Sequence, residues 1–384
     1  MSQEVMQLIT NTENKSVLLT PELETALPGI EAAARAVDDK FLDQPAGYLE
    51  TLEQSQFMVK TEQGAEVACS LLMNDGQQAE ELMIVFAPFA DRNPKTDART
   101  MGMYIRPGSE VSKTKAKPNT WSQMTKSAVT ADMLEALGHG MPVLTVFAPV
   151  PTRAHSSAER KLFKDGDFTP SGRLAMEALR GAIAQAQLRV HGKNSPQQFH
   201  KLHISGASLG ASNAIGAAGK LIQHEFDVKS VTAQELIMSP KNLLDLAKRF
   251  TVGGITGEAS QVPFPENARA IGEAAVRQAI DYKGSEPIGM NLRMIQGASK
   301  LPYMRGLTKP HKTIEAVESL LDNNVNVLVA TADSSGLTDK TRTLLPNETP
   351  QLHLTPQEGA KLGHLADEYV TLSALVIARN ILRG

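Results

Sequence analysis

The chain has 384 residues, and 39 Lys and Arg stand against 42 Asp and Glu for a net charge of −3. That balance gives no electrostatic case for a nucleic-acid or anionic-membrane partner, and the single cysteine, Cys69, excludes an internal disulfide. The length exceeds what one compact core usually needs and points to a domain with insertions or extensions. No stretch approaches a membrane span. Met1–Met6 has neither the basic start nor the apolar core of a secretory signal, so a reducing, cytoplasmic setting is expected.

Residues 1–55 read as an N-terminal helical extension, with Pro28 near the start of the helical composition Ile30–Val37. From Gln56 the rhythm changes to period two: Phe57, Val59 and Thr61 alternate with Met58 and Lys60, Gly64 supplies a turn, and Val67, Cys69 and Leu71 alternate again. This is a hairpin pattern. The solid apolar run Leu82–Ala87 is that of a strand buried on both faces. A polar loop carrying Lys113, Lys115 and Lys117 follows and reads as a solvated loop. Helical spacing returns from Trp121 to Leu137, then a strand at Val143–Ala148, then a helix over Asp167–Val190.

The most informative stretch is Leu202–Ala214, where a strand-like run ends in Gly206-Ala207-Ser208-Leu209-Gly210 and a small-residue helix follows to about His224. G-x-S-x-G between strand and helix is the pattern of a nucleophile elbow. A serine on such a turn projects its hydroxyl beyond the sheet. Gly206 and Gly210 remove contacts that a Cβ would make, and the Leu209 amide would face the oxygen on which charge develops in acyl transfer. A dinucleotide fingerprint needs glycine where Ser208 stands, and Gly219-Lys220 is followed by Leu221, so neither phosphate-binding loop fits. His200 and His203, three apart on a strand, face opposite ways and do not form a metal pair.

Leu236–Met238 reads as a further strand. Residues 241–310 lack clear strand–helix alternation and fit an inserted cap. Thr313–Leu321 is helical, Asn326–Ala330 is a buried strand running into Asp333, Leu352–Leu354 reads as a strand carrying His353, and a last helix runs from about Leu365 to Leu382. Alternating strands and helices predict an α/β fold with a mainly parallel central sheet flanked by helices, in which sites form beyond the C-terminal strand ends. Ser208, Asp333 and His364 all fall at such positions, and acyl transfer by serine uses a histidine to take the hydroxyl proton and a carboxylate to orient that histidine. Asp339 and Asp245 are the competing acids and His353 the competing base.

The chain here resembles the α/β-hydrolase superfamily over residues 56–240 and 311–384. The resemblance rests on the leading hairpin, the elbow, Asp333 after a late strand, and Gly363-His364 before the last helix. It implies a catalytic triad of Ser208, Asp333 and His364, with an oxyanion hole of the Leu209 amide and a second amide from the loop after Leu82–Ala87, at Phe89. Where many members have His-Gly in that loop, this chain has Ala87-Pro88-Phe89, and Pro88 has no amide to donate, so Phe89 or Ala90 must serve. The function expected is cleavage of an ester, thioester or similar acyl bond, with no metal or organic cofactor. The expected partner is a small-molecule acyl substrate, without nucleic acid or a membrane span and with room for a homo-oligomer. An amidase or peptidase, or a hydrolase-like module that binds without catalysis, is the alternative.

The choice of acid is testable. Asp333 starts the loop after the late strand, and Asp339 lies six residues further on, past Gly336. Asp333→Asn is expected to lose most activity, up to the ~10⁴-fold in kcat seen when a serine-protease triad loses its acid, while Asp339→Asn keeps nearly all of it. Parallel assays with circular dichroism on both variants check the ranking.

Overall fold

Runs that are apolar at every position make strands that must be covered on both faces, and this chain places them at the centre of one sheet. The computed structural model describes residues 55–74, 77, 79–87, 127–128, 130–135, 137–147, 155–189, 199–239, 301–332, 338, 340–354 and 370–383, with single positions 25 and 28. The strands are β1 (Gln56–Lys60), β2 (Glu66–Leu72), β3 (Glu81–Phe86), β4 (Val143–Phe147), β5 (Lys201–Ala207), β6 (Asp227–Gln234), β7 (Asn326–Ala332) and β8 (Gln351–Leu354). They form one eight-stranded sheet in the order β1-β2-β4-β3-β5-β6-β7-β8. β1 and β2 are the expected hairpin, antiparallel with Gln56 opposite Ser70 and Lys60 opposite Glu66. β2 joins β4 antiparallel, and every other pairing is parallel. The chain steps from β3 outward to β4 and then returns to the other flank of β3 for β5. The order therefore reverses between β3 and β5, the kind of position at which α/β sheets bind ligands beyond their C-terminal strand ends.

The helices are α1 (Ser157–Lys164), α2 (Pro170–Arg189), α3 (Leu209–Gln223), α4 (Leu301–Leu307), α5 (His311–Asp322), α6 (Thr341–Leu344) and α7 (Val370–Leu382). Leu82, Ile84 and Phe86 of β3 and Leu202 and Ile204 of β5 pack in one core with Ala175 and Leu179 of α2, Ala211 and Ala214 of α3, and Val317 and Leu320 of α5. Alternate residues point to the opposite face, where Met83, Val85 and Val143 meet Leu134 and Ile377, Ala378 and Ile381 of α7. Cys69 of β2 is fully buried, and burial pushes its thiol well above the usual range.

One strand differs from expectation. Leu236–Met238 is not in the sheet; the strand there is β6, ending at Gln234. Glu235 adopts φ 52 and turns the chain out of the ladder. The apolar run is buried all the same, with the Met238 amide donating to Thr341 Oγ1 at 3.2 Å and that hydroxyl donating to the Leu236 carbonyl at 2.6 Å. β6 itself escapes an apolar reading because Ser230, Thr232 and Gln234 are buried in polar company. His203 Nδ1 lies 2.8 Å from Ser230 Oγ. Asn380 Nδ2 of α7 lies 3.0 Å from Thr232 Oγ1, and Gln234 Nε2 donates to the Ser373 carbonyl at 3.4 Å. The short helices α1, α4 and α6 were not evident in the sequence pattern either. α4, inside the segment expected to be a cap, packs on α1 through Tyr303 and Phe163, ring centroids 4.5 Å apart. Residues 241–300, nearly all of the N-terminal extension, and the lysine-bearing loop lie outside the described residues.

A charged network ties α1 to α2. Ser156 caps α1 in a reciprocal box with Glu159. Arg173 Nε donates to Glu159 Oε1 at 2.7 Å, and its Nη1 donates to Glu177 Oε1 at 2.9 Å. Burial alone would raise the Glu159 carboxyl, but His155, whose Nδ1 lies 3.6 Å from Oε2, and hydrogen bonds from Arg173 and the Ser156 amide outweigh it and hold the group well below the usual carboxylate range. Burial is the main cause that holds buried His155 below the usual imidazole range. Both groups bind protons less readily folded than unfolded. Their stabilisation is therefore complete above the unfolded-state values, about 6.5 for His and about 4.3 for Glu, and is lost as pH falls below them. Thermal melts are expected to show Tm falling from pH 7.5 to 5 and more steeply below about 4.3. Glu159→Gln should cost about 1–3 kcal/mol at neutral pH, towards the low end given its partial exposure, and flatten the steeper acid limb.

Candidate active site

The strand-to-helix junction after β5 fixes Ser208 in a conformation that L-residues seldom adopt, φ 55 and ψ −122. Its amide donates to the Gln234 carbonyl at 2.9 Å, extending the β5–β6 ladder one step beyond the Ala207–Gln234 pair. Its carbonyl accepts from Ala211 at 3.0 Å and so starts α3. Serine is a favoured N-cap residue, yet the Ser208 side chain makes no capping hydrogen bond to the helix. The turn is held by atoms that leave no space. A Cβ on Gly206 would overlap the Gly210 carbonyl, and one on Gly210 would overlap the Phe86 carbonyl at the end of β3. The helix thus starts in contact with both flanking strands at the switch point.

Leu209 is the first residue of α3, so its amide is among the N–H groups that a helix leaves without an internal partner. Its side chain is buried in an apolar wall with Phe163, Phe168, Ile237 and Tyr303. The loop after β3, expected to supply the second oxyanion amide, leaves at Ala87, whose amide donates to the Val146 carbonyl at 3.1 Å. Phe89 itself lies outside the described residues, as do Asp333, His364, Asp339 and Asp245. β7 ends at Ala332, so Asp333 is the next residue in the chain. The competing base His353 sits inside β8, opposite Thr331, with Nδ1 3.3 Å from Thr331 Oγ1.

Two charged residues that sequence reasoning missed close the C-terminal edge between β6 and β7. Glu235, 1 % exposed, accepts a hydrogen bond from the Ala332 amide through Oε1. Arg342 of α6 donates to the Ala332 carbonyl from Nη2 at 2.9 Å and to Thr331 Oγ1 from Nε at 3.2 Å. Placing β6 correctly would have exposed Glu235 as a residue just beyond a parallel strand. Among the described residues, no cluster of His, Cys, Asp and Glu could hold a metal ion, and no helix is long and apolar enough to cross a membrane.

A leading antiparallel hairpin, a parallel sheet and a strained serine between the central strand and its helix define the architecture. The sheet order and the helices that flank the sheet give an α/β fold of α/β-hydrolase-like architecture. No family model and no curated protein matches the chain. Solved structures similar to it include MGS-M2, an α/β-hydrolase enzyme from a Medee basin deep-sea metagenome library, at 13 % identity over 86 % of this chain and 98 % of that one, TM-score 0.44. The rice cell wall degrading esterase LipA from Xanthomonas oryzae aligns at 12 % identity over 85 % of this chain and 89 % of its own, TM-score 0.44. A thioesterase domain from the curacin biosynthetic pathway aligns at 14 % identity over 86 % and 99 %, TM-score 0.37.

Strain at Ser208 has a measurable signature. A residue held in such a conformation costs about 1–3 kcal/mol, which glycine avoids. Ser208→Gly is therefore expected to be more stable than Ser208→Ala by about 1–2 kcal/mol, after allowance for glycine's greater freedom in the unfolded chain. Paired thermal melts of the two variants read the difference directly.

Proposed function

We propose that the protein is a serine hydrolase that cleaves a carboxylic ester, thioester or similar acyl bond through an acyl-Ser208 intermediate. The observation that carries this reading is the backbone of Ser208. A serine held at φ 55 and ψ −122 stands between the C-terminal end of a central parallel strand and the helix that follows, which is the backbone geometry of a nucleophile elbow. In the proposed cycle, His364 takes the hydroxyl proton as Ser208 Oγ attacks the acyl carbonyl. Asp333 holds the imidazole in the required tautomer and stabilises the imidazolium. The amides of Leu209 and Phe89 receive the developing oxyanion. His364 then protonates the leaving group as the tetrahedral intermediate collapses. Water, deprotonated by the same histidine, next attacks the acyl-enzyme and releases the acid. Residues 241–310 act in this proposal as a cap that limits substrate size. The substrate is a small acyl compound and no cofactor takes part.

A fluorophosphonate probe followed by peptide mass analysis tests the reading. Covalent labelling is expected at Ser208 and lost in Ser208→Ala, and chromogenic esters of graded acyl length should be turned over by the wild type alone. Activity should rise with pH through about 6.5 as His364 becomes neutral. Labelling without ester turnover but with amide cleavage would identify an amidase or peptidase. Absence of both labelling and turnover would leave a binding module.

A further inference from the structure

Glu235 is a buried carboxylate that the proposed cycle does not use, and its position is specific. It is the first residue after β6, and its φ of 52 breaks the strand there. Its own amide donates to the Ala330 carbonyl at 2.7 Å, and its Oε1 accepts the Ala332 amide. The pairing of β6 with β7 starts at Ser230–Asn326 and ends at Gln234–Ala330. Beyond that pair, the last residue of β7 has no backbone of β6 on which to bond, and the Glu235 side chain takes over the role of the ladder. The other polar group of the same peptide unit is held as well, since Arg342 Nη2 donates to the Ala332 carbonyl at 2.9 Å. Side chains from two different elements thus grip the N–H and the C=O of Ala332. Ala332 is fully buried, so both groups of its peptide unit must be satisfied inside the protein, and here two side chains from other elements do so and fix the direction of the chain.

We infer that Glu235 and Arg342 are positioning residues that set where the chain leaves β7, and with it the placement of Asp333, the next residue. This inference rests on the serine-hydrolase reading, with Asp333 as the acid. Glu235 acts through the peptide of Ala332 and takes no proton in the reaction. Its essential property is an oxygen acceptor at the Oε1 position, which glutamine also offers.

The test uses the full chain and a chromogenic ester that the wild type hydrolyses. Glu235→Ala is expected to lower kcat by about 10²-fold with KM unchanged, the size of effect that a ~1 Å misplacement produces. Glu235→Gln should recover most of that loss. Arg342→Met should lower kcat in the same sense, with Arg342→Lys recovering it in part. If Glu235→Ala does not fold, Glu235→Gln and the Arg342 pair decide. Wild-type kcat in Arg342→Met, or a change confined to KM, would overturn the inference while labelling of Ser208 leaves the hydrolase reading standing. A loss in Glu235→Gln as deep as in Ser208→Ala, with Asp333→Asn still active, would also overturn it by making Glu235 the acid itself. A wild type that neither labels nor turns over ester would overturn both readings together.

Discussion

The fold depends on how closely the first turn of α3 lies against the ends of β3 and β5. At Gly206 and Gly210 the backbones meet with no room for a side chain. That contact sets the direction in which α3 leaves the sheet, and the alanine-rich face of α3 then packs on the central strands with little between them. The same contact forces Ser208 into its strained conformation. Packing and reactivity are therefore one constraint here. A looser junction would relax the serine and also separate the helix from the strands it covers, since close-packed interiors transmit a shift of one element to its neighbours.

The two faces of the sheet are built differently. The face under α2, α3 and α5 is almost wholly aliphatic. The face under α7 mixes apolar residues with a buried polar layer, in which Asn380 Nδ2 lies within 3.0 Å of the Val231 carbonyl and 3.1 Å of the Asn326 carbonyl. Apolar contacts are non-directional and let a helix slide, whereas buried hydrogen bonds fix its register because leaving one unmade is costly. α7 follows directly on the segment that contains His364. The helix downstream of the proposed base is thus the one held by polar contacts of fixed geometry.

Much of this was legible in the chain itself. Leu82–Ala87 and Val143–Ala148 are apolar without interruption, and that pattern fits only a doubly covered strand. The glycines around Ser208 gave the elbow because close approach of backbones restricts the residue type so strongly. β6 was misplaced for the opposite reason. Its buried Ser230, Thr232 and Gln234 look like surface residues until the partners on β5 and α7 are known. Leu236–Met238 looked like strand because burial and strand pairing leave the same apolar trace. α6 could not be read from four residues, Thr341–Leu344, whose role is to bring Thr341 and Arg342 to groups about a hundred and about ten residues distant, respectively, in sequence. Side-chain-to-backbone contacts of that span have no local pattern. The clamp on Ala332 belongs to this class, and no periodicity could reveal it.

Cys69 has a use that follows from its position. It lies in β2, opposite Phe57 of β1 and Val146 of β4, with no exposed surface and a thiol that burial keeps protonated. Alkylation requires thiolate and access, and here both are withheld until the antiparallel end of the sheet comes apart. As the chain's sole cysteine, it makes the native protein its own reporter. The rate at which an alkylating reagent enters measures how often the core around β2 opens, without any label being introduced.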